Sequence, residues 1–223
     1  MLTDPAAYWN RVANEKTFTH PYNIPLLKQF ISKQAAIIDY GCGYGRGIKI
    51  LSEAGFENVT GYDTSIGLIE RGNREGVQNI AYIKDLDHLL CMPHSVDCIV
   101  LFAVLTCIPD NKSQVALMEK SYSILKPEGI LYISDYYLQQ NQNEVGTYSF
   151  LENDEHNFGV FTLPDGSIFR HHTCEWIASL LSKFEVAHET TAQVFTMNGS
   201  PAEAFQIIAT PIHKGLTLKD RTI

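Results

Sequence analysis

"IIDYGCGYGRG", residues 37–47, places glycines at 41, 43, 45 and 47 directly behind a short apolar run. A buried strand that opens into bare backbone is the beginning of a strand–turn–helix unit. Glycine there lets the chain turn tightly and lets a ligand come closer to the backbone than a Cβ would permit. "AAIIDY" (35–40) predicts the strand, and Ile48 and Leu51 predict a helix over 45–54 that Gly55 ends.

Outward from this unit the pattern repeats. "NVTGYD" (58–63) predicts a second strand, with Ser65 as N-cap of a helix over 66–72. "NIAYIKD" (79–85), "VDCIVLF" (96–102) and "GILYISDY" (129–136) predict three more, the last two joined by a helix over about 111–125 that the "KPEG" turn ends. Strands that alternate with helices, several of them continuously apolar, predict a parallel sheet covered on both faces. The C-terminal part differs, because "FEVAHETTAQVFTM" and "AEAFQIIAT" flank Asn198-Gly199, a hairpin signal. The expected fold is α/β: a doubly wound, mostly parallel seven-stranded sheet finished by an antiparallel hairpin. Residues 137–172, rich in Tyr, Asn, Gln, Phe and His, are too long for an ordinary connection and read as a lid or binding element.

Composition narrows the function. At 223 residues the chain is expected to fold as one domain, with 45 % hydrophobic and 19 % charged residues. A net charge of −8 and the lack of any Lys/Arg run argue against nucleic acid as a partner. Five cysteines without a C-x-x-C pair form no disulfide framework. "MLTDPAAYWNRVANEK" carries no secretory signal, and "CIVLFAVL" is too short to span a bilayer, so the expectation is a soluble, cytoplasmic protein with no membrane partner.

In a doubly wound sheet the ligand lies beyond the carboxyl ends of the strands, beside strand one, where Gly41 and Gly43 fall. A dinucleotide site wants a third glycine at 46, where this chain has Arg46; a P-loop is excluded because no Lys-Ser/Thr follows. Asp63 ends the second strand 22 residues after Gly41, where a carboxylate can take both hydroxyls of a ribose. Asp85 ends the third, another 22 on, where a carboxylate can accept from an adenine amino group. Nothing is arranged for a pyrophosphate.

These stretches resemble the motifs of the class I S-adenosylmethionine-dependent methyltransferases. "IIDYGCGYGRG" is similar to their first motif, "VTGYDTS" to the acidic second-strand motif and "IKDLDHL" to the adenine-side motif. "VDCIVLFAVLTCIPD" and "LKPEGILYISD" resemble the fourth and fifth strand segments, so the likeness runs in order over residues 30 to 136. "YWNRVANEKTF" more loosely resembles the N-terminal cover that some small-molecule members fold over the cofactor. The resemblance implies S-adenosylmethionine as cofactor, with S-adenosylhomocysteine as product. It implies Gly41, Cys42 and Gly43 under the methionine part, with Asp39 supporting the ammonium group. Asp63 and Thr64 then take the ribose, Asp85 and Leu86 frame the adenine, and Phe102 lines the pocket. Tyr8 and Trp9 either pack in a core or close over the cofactor, while Arg11 or Arg46 meets its carboxylate.

On the acceptor side the sequence departs from its relatives. The Asn/Asp-Pro-Pro-Tyr/Phe motif that grips a flat amino group is replaced by "LFAVLT", and Thr106 and Cys107 stand where other small-molecule members have histidine. Candidates for catalysis are therefore Thr106, Asp135, which ends strand five on the rim as either a substrate contact or a loop anchor, and His171 and His172 in "PDGSIFRHH". The two histidines serve either as base or substrate anchor, or as solvent-facing residues of a hairpin ahead of an N-cap at Thr173. Metal ligation by His156, His171 and His172 lacks ligand spacing, and no metal is expected. Tyr136, Tyr137, Tyr148, Phe150 and Phe158 form either an aromatic acceptor pocket or the lid's own small core, the latter preferred.

The expected organisation is a helical cover (1–30), a cofactor-binding core (31–136), a lid (137–172), a helix with the antiparallel hairpin (173–210) and a tail (211–223). The expected function is methyl transfer to a small polar metabolite, by positioning the acceptor in line with the sulfonium methyl. The rivals are a non-catalytic cofactor-binding partner or sensor, an RNA or protein methyltransferase, and, last, a nicotinamide oxidoreductase.

Overall fold

Residues 5–139, 148–150, 158–196, 199 and 201–212 are described by the structure, a computed structural model. A seven-stranded sheet is built from β1 (Ala36–Tyr40), β2 (Asn58–Asp63), β3 (Ile80–Tyr82), β4 (Val96–Phe102), β5 (Leu125–Tyr136), β8 (Phe184–Phe195) and β9 (Pro201–Pro211), in the order β3-β2-β1-β4-β5-β9-β8. The first five strands are parallel, and β9 and β8 add antiparallel. β1 touches both β2 and β4, so strand order reverses there and a crevice opens above the carboxyl ends of β1 and β4.

Alternation within the apolar strands sorts side chains onto two covered faces. Ile38, Ile99, Leu101, Leu131 and Ile133 face Leu117 and Met118 of α5 (Asn111–Ile124) and Ile177 and Leu180 of α6 (Cys174–Leu180). Their neighbours Ile37, Cys98, Val100, Ile130 and Tyr132 face Leu26 and Leu27 of α2 (Ile24–Phe30) and Ile48 and Leu51 of α3 (Arg46–Glu53). Ser65 caps α4 (Ile66–Arg74) as expected, its hydroxyl accepting from Leu68 N at 3.2 Å. Thr173 caps α6, accepting from Trp176 N at 3.1 Å.

The "KPEG" stretch is not a free turn. It is a bulge inside β5, since Leu125 pairs with Val96 and pairing resumes at Ile130 with Cys98. The third strand is also shorter than predicted, because Asp85 instead caps a 3-10 turn, Leu86–His88. Within the insertion, β6 (Val160–Thr162) and β7 (Ile168–Arg170) form a separate antiparallel pair. That hairpin packs against α1 (Pro5–Val12): Tyr8, Val12, Tyr148, Phe161 and Phe169 make one buried cluster, and Arg11 pairs with Asp165 at 2.7 Å. His156 and Asn198 lie outside the described residues. No described helix is long and apolar enough to cross a membrane.

Candidate active site

A cavity of about 1530 Å³ lies over the carboxyl ends of β1, β2 and β4, roofed by α1 and the β6–β7 hairpin. Its floor is the glycine turn, where Gly41, Gly43 and Gly45 have φ of +75°, +56° and +80°. Backbone N–H groups of Gly41 and Cys42 both donate to the Tyr62 carbonyl, at 2.7 and 3.1 Å, which folds the turn over the end of β2. Asp63 completes this arrangement: Oδ2 accepts from Gly43 N and Oδ1 from Ser65 N, each at 2.7 Å. Burial raises its pKa, opposed by these N–H groups. Asp63, Thr64, Gly41 and Cys42 line the cavity.

Gly43 corrects an expectation. It does not line the cavity among its described residues, and a Cβ there would stand 2.0 Å from Cε2 of Phe18 rather than in ligand space. Its bare backbone makes room for Phe18, which stacks on Tyr44 at 5.0 Å.

Asp85 and Leu86 line the adjoining end. Asp85 Oδ1 is taken by Asp87 N at 3.0 Å and His88 Nδ1 at 2.6 Å, leaving Oδ2 for a ligand. The His88 contact holds its pKa below the usual carboxylate value. Asp39 is buried beneath the turn, where burial and then the charge of Asp63 push its pKa up to about 7, against Arg46 and a hydrogen bond from Tyr22. Gly47 makes that pairing feasible, since a Cβ would lie 2.1 Å from the Tyr22 hydroxyl and 2.3 Å from Asp39 Oδ2.

The acceptor side departs further from expectation. Asp135 is not on the rim: it is fully buried, does not line the cavity, and accepts from Tyr136 N at 2.8 Å and Thr106 N at 3.1 Å. Burial raises its pKa to about 7. His172 is likewise fully buried; its Nε2 accepts from Gln114 at 3.0 Å and its Nδ1 donates to the Tyr136 carbonyl at 3.2 Å. Both residues brace the 3-10 turn Leu105–Cys107, for Gln114 also donates to Leu105 O at 3.1 Å. Thr106, carried on that turn, does line the cavity, as does Phe102. Ala103 between them has φ +54°, a left-handed conformation unusual for a residue with a Cβ, held by its N–H donating to Ser134 O at 2.7 Å.

His171 lines the cavity and does not meet bulk solvent, being 5 % exposed. Tyr148 accepts from Gln139 N at 3.0 Å, and its hydroxyl donates to His171 Nδ1 at 2.7 Å, an assignment that leaves the ring proton on Nε2. Burial lowers the His171 pKa to about 3, so it is a weak base and a competent donor. The neighbouring Arg170 is buried too, donating to Asn111 Oδ1 at 2.6 Å. Tyr8 and Trp9 both line the cavity and pack edge-to-face, ring centroids 5.0 Å apart, so packing and cover coincide. Arg11 is engaged with Asp165, whereas Arg46 lines the cavity and donates to the His20 carbonyl at 2.7 Å.

One lining residue has no signal in the sequence: His20, from the connection between α1 and α2. Its Nδ1 is 2.9 Å from Ser134 Oγ, 114 positions away. Among the described residues no group of three His, Cys, Asp or Glu is placed to hold a metal ion.

A family model described as a methyltransferase domain matches residues 17–168. The chain belongs to that methyltransferase family. Solved structures agree on the fold. An S-adenosylmethionine-dependent methyltransferase from Methanosarcina mazei is 22% identical, with a TM-score of 0.71 over 85% of this chain and 98% of its own. One from Mesorhizobium loti is 19% identical, with a TM-score of 0.60 over 83% and 96%. The 1,6-didemethyltoxoflavin-N1-methyltransferase of Burkholderia thailandensis, solved with 1,6-didemethyltoxoflavin and S-adenosylhomocysteine bound, is 15% identical, with a TM-score of 0.58 over 85% and 76%. A search of curated protein sequences returns no match.

The methyltransferase is thus an enzyme that uses S-adenosylmethionine. Its own residues fit that group. Asp63 keeps lone pairs beyond its backbone bonds on a carboxylate that lines the cavity, as a ribose diol requires, and Asp85 keeps Oδ2. The buried acid Asp39 beside the glycine turn suits an ammonium group.

Proposed function

We propose that this enzyme transfers the methyl group to a small polar metabolite, held at the end of the cavity opposite Asp63 and Asp85. The observation that supports this reading is the size of the cavity and the roof above it. Ligand pockets usually span about 300–1,000 Å³, so 1530 Å³ accommodates a cofactor together with a second small molecule. A roof of α1 and the β6–β7 hairpin suits an enclosed acceptor better than a polymer strand.

In this reading Gly41, Cys42 and Asp39 hold the methionine part, Asp63 and Thr64 the ribose, and Asp85 and Leu86 the adenine. The cofactor supplies a methyl group on a good leaving group. The chain's task is to orient the acceptor and exclude water, which can supply up to about 7–11 kcal/mol in well-aligned systems. His171 and Thr106 contribute hydrogen bonds to the acceptor, with His171 as donor through Nε2.

The test is incubation of the purified protein with methyl-labelled S-adenosylmethionine and a metabolite extract, followed by mass analysis. A labelled small molecule appearing with S-adenosylhomocysteine is the expected result, lost in Asp63→Ala. Label found only in protein or RNA would overturn the acceptor class. His171→Ala is expected to leave cofactor affinity nearly unchanged while cutting turnover at least about tenfold, the size of a lost positioning contact.

A further inference from the structure

His20 presents a buried polar atom whose cost the fold does not explain. The residue is 5 % exposed, lines the cavity, and its Nε2 has no hydrogen-bond partner among the described residues. An unmet buried donor is costly to a fold, and such a group calls for a reason. Anchoring the chain is not that reason. Arg46 already holds the His20 carbonyl at 2.7 Å, Gln206 the Pro21 carbonyl at 2.7 Å, and Tyr132 takes Asn23 N at 3.1 Å. An apolar side chain would satisfy the same path.

The ring's own bonds say what Nε2 offers. Ser134 Oγ lies 2.9 Å from His20 Nδ1, and with the serine hydroxyl assigned as the donor Nδ1 is the acceptor. The ring proton then sits on Nε2. This atom is a donor awaiting an acceptor. Burial, then the Arg46 charge, lowers the His20 pKa to about 4, so the ring stays neutral.

Flat walls surround it. Tyr136 meets the His20 ring edge-on at 4.8 Å, Phe102 lies at 6.4 Å, and His171 flanks the other side of Tyr136 at 4.9 Å. Of the cavity's lysine and arginine side chains, Lys84 precedes Asp85, and Arg46, which donates to the His20 carbonyl, also acts on the buried acid Asp39. The acids Glu203 and Asp110 also line the cavity. The Arg46 charge there is already engaged with Asp39 and the His20 carbonyl, so an anionic ligand finds no free counter-charge, and a cation offers nothing to an N–H donor.

We propose that His20, Phe102, Tyr136 and His171 form an acceptor subsite for an uncharged, planar heteroaromatic molecule, oriented by a hydrogen bond from His20 Nε2 to a carbonyl oxygen or ring nitrogen. This deepens the methyl-transfer reading and rests on it. Since neither histidine is a strong base, the methylated atom must arrive with an available lone pair.

The test uses the full chain saturated with S-adenosylhomocysteine, and quinazolin-4-one as probe. Controls are 1-decalone (saturated), quinoline-4-carboxylate (anionic) and the 1-methylquinolinium cation. Quinazolin-4-one is expected to bind at least about tenfold more tightly than each control, the worth of one hydrogen bond and ring contact. It should also shift the nitrogen-15 resonance of His20 Nε2 in the wild-type protein, which needs no variant to fold. His20→Asn, which can keep the Ser134 contact but lacks Nε2, should lose the preference. His20→Gln, with a polar atom near the Nε2 position, should restore part of it. Controls that bind as well, no probe binding, or an unmoved Nε2 resonance would each overturn the proposal while cofactor binding stands. Failure of the wild-type protein to bind S-adenosylhomocysteine would instead bring down the cofactor assignment, and the proposal with it.

Discussion

In the proposed reading Asp39 couples cofactor binding to pH. Its carboxyl, pushed up to about 7, is largely protonated in the cofactor-free protein at pH 6. An ammonium group beside it favours the carboxylate, so binding below pH 7 must expel a proton. Affinity for S-adenosylhomocysteine should therefore fall as pH drops through about 7, approaching tenfold per pH unit at most. Calorimetry in two buffers of different ionisation heat should register the released proton, and Asp39→Asn should abolish both effects. At Gly43 the expectation is structural. Gly43→Ala must adopt φ +56° and displace Phe18, so it should destabilise the fold by at least about 1–2 kcal/mol in urea unfolding. A variant as stable as wild type would mean Phe18 has another place to go. The place of Asp63 on the cavity could be read from sequence because it depends only on standing at a strand end. His20 could not, because its partner Ser134 lies 114 residues away on β5. His171 and His172 were equally attractive as letters, yet backbone alternation sends one to the cavity and the other into the core.

At the scale of elements, β5 and the turn after β4 form one braced unit. Asp135 at the end of β5 accepts N–H groups from both segments, and His172 and Gln114 tie in the insertion and α5. Asp135→Asn puts an amide NH₂ opposite one of those donors. It should cost about 1–3 kcal/mol and loosen Thr106, visible as faster amide exchange over residues 104–107. Unchanged exchange and stability would show that the brace is redundant. Hydrophobic periodicity revealed the strands and helices of this unit. The brace was hidden because an acid ending a strand can equally serve a ligand or the neighbouring turn, and only burial separates the two. The bulge in β5 was hidden for a similar reason: Pro127 and Gly129 signal a turn, and sheet pairing on either side absorbs it.

Across the whole molecule, cofactor binding should be the largest stabilising event available. S-adenosylhomocysteine at 100 times its dissociation constant should add about 2.7 kcal/mol to unfolding stability, through binding to the folded state alone. Asp63→Ala should remove most of that increment at the same ligand concentration, as a thermal-shift series would register. The strand order carries a different consequence, one of timing. β9 is the latest of the described strands, yet it lies inside the sheet, between β5 and β8. A nascent chain that has reached residue 200 therefore holds β5, with Ile130–Ile133 nearly fully shielded in the finished sheet, as an open edge. β8 meanwhile has no neighbour to pair with. Open apolar edges recruit other chains. Ribosome-released fragments stopping at residue 200 should pellet where the full chain stays dispersed, so the 11 residues of β9 act as the stopper that closes this open edge during synthesis.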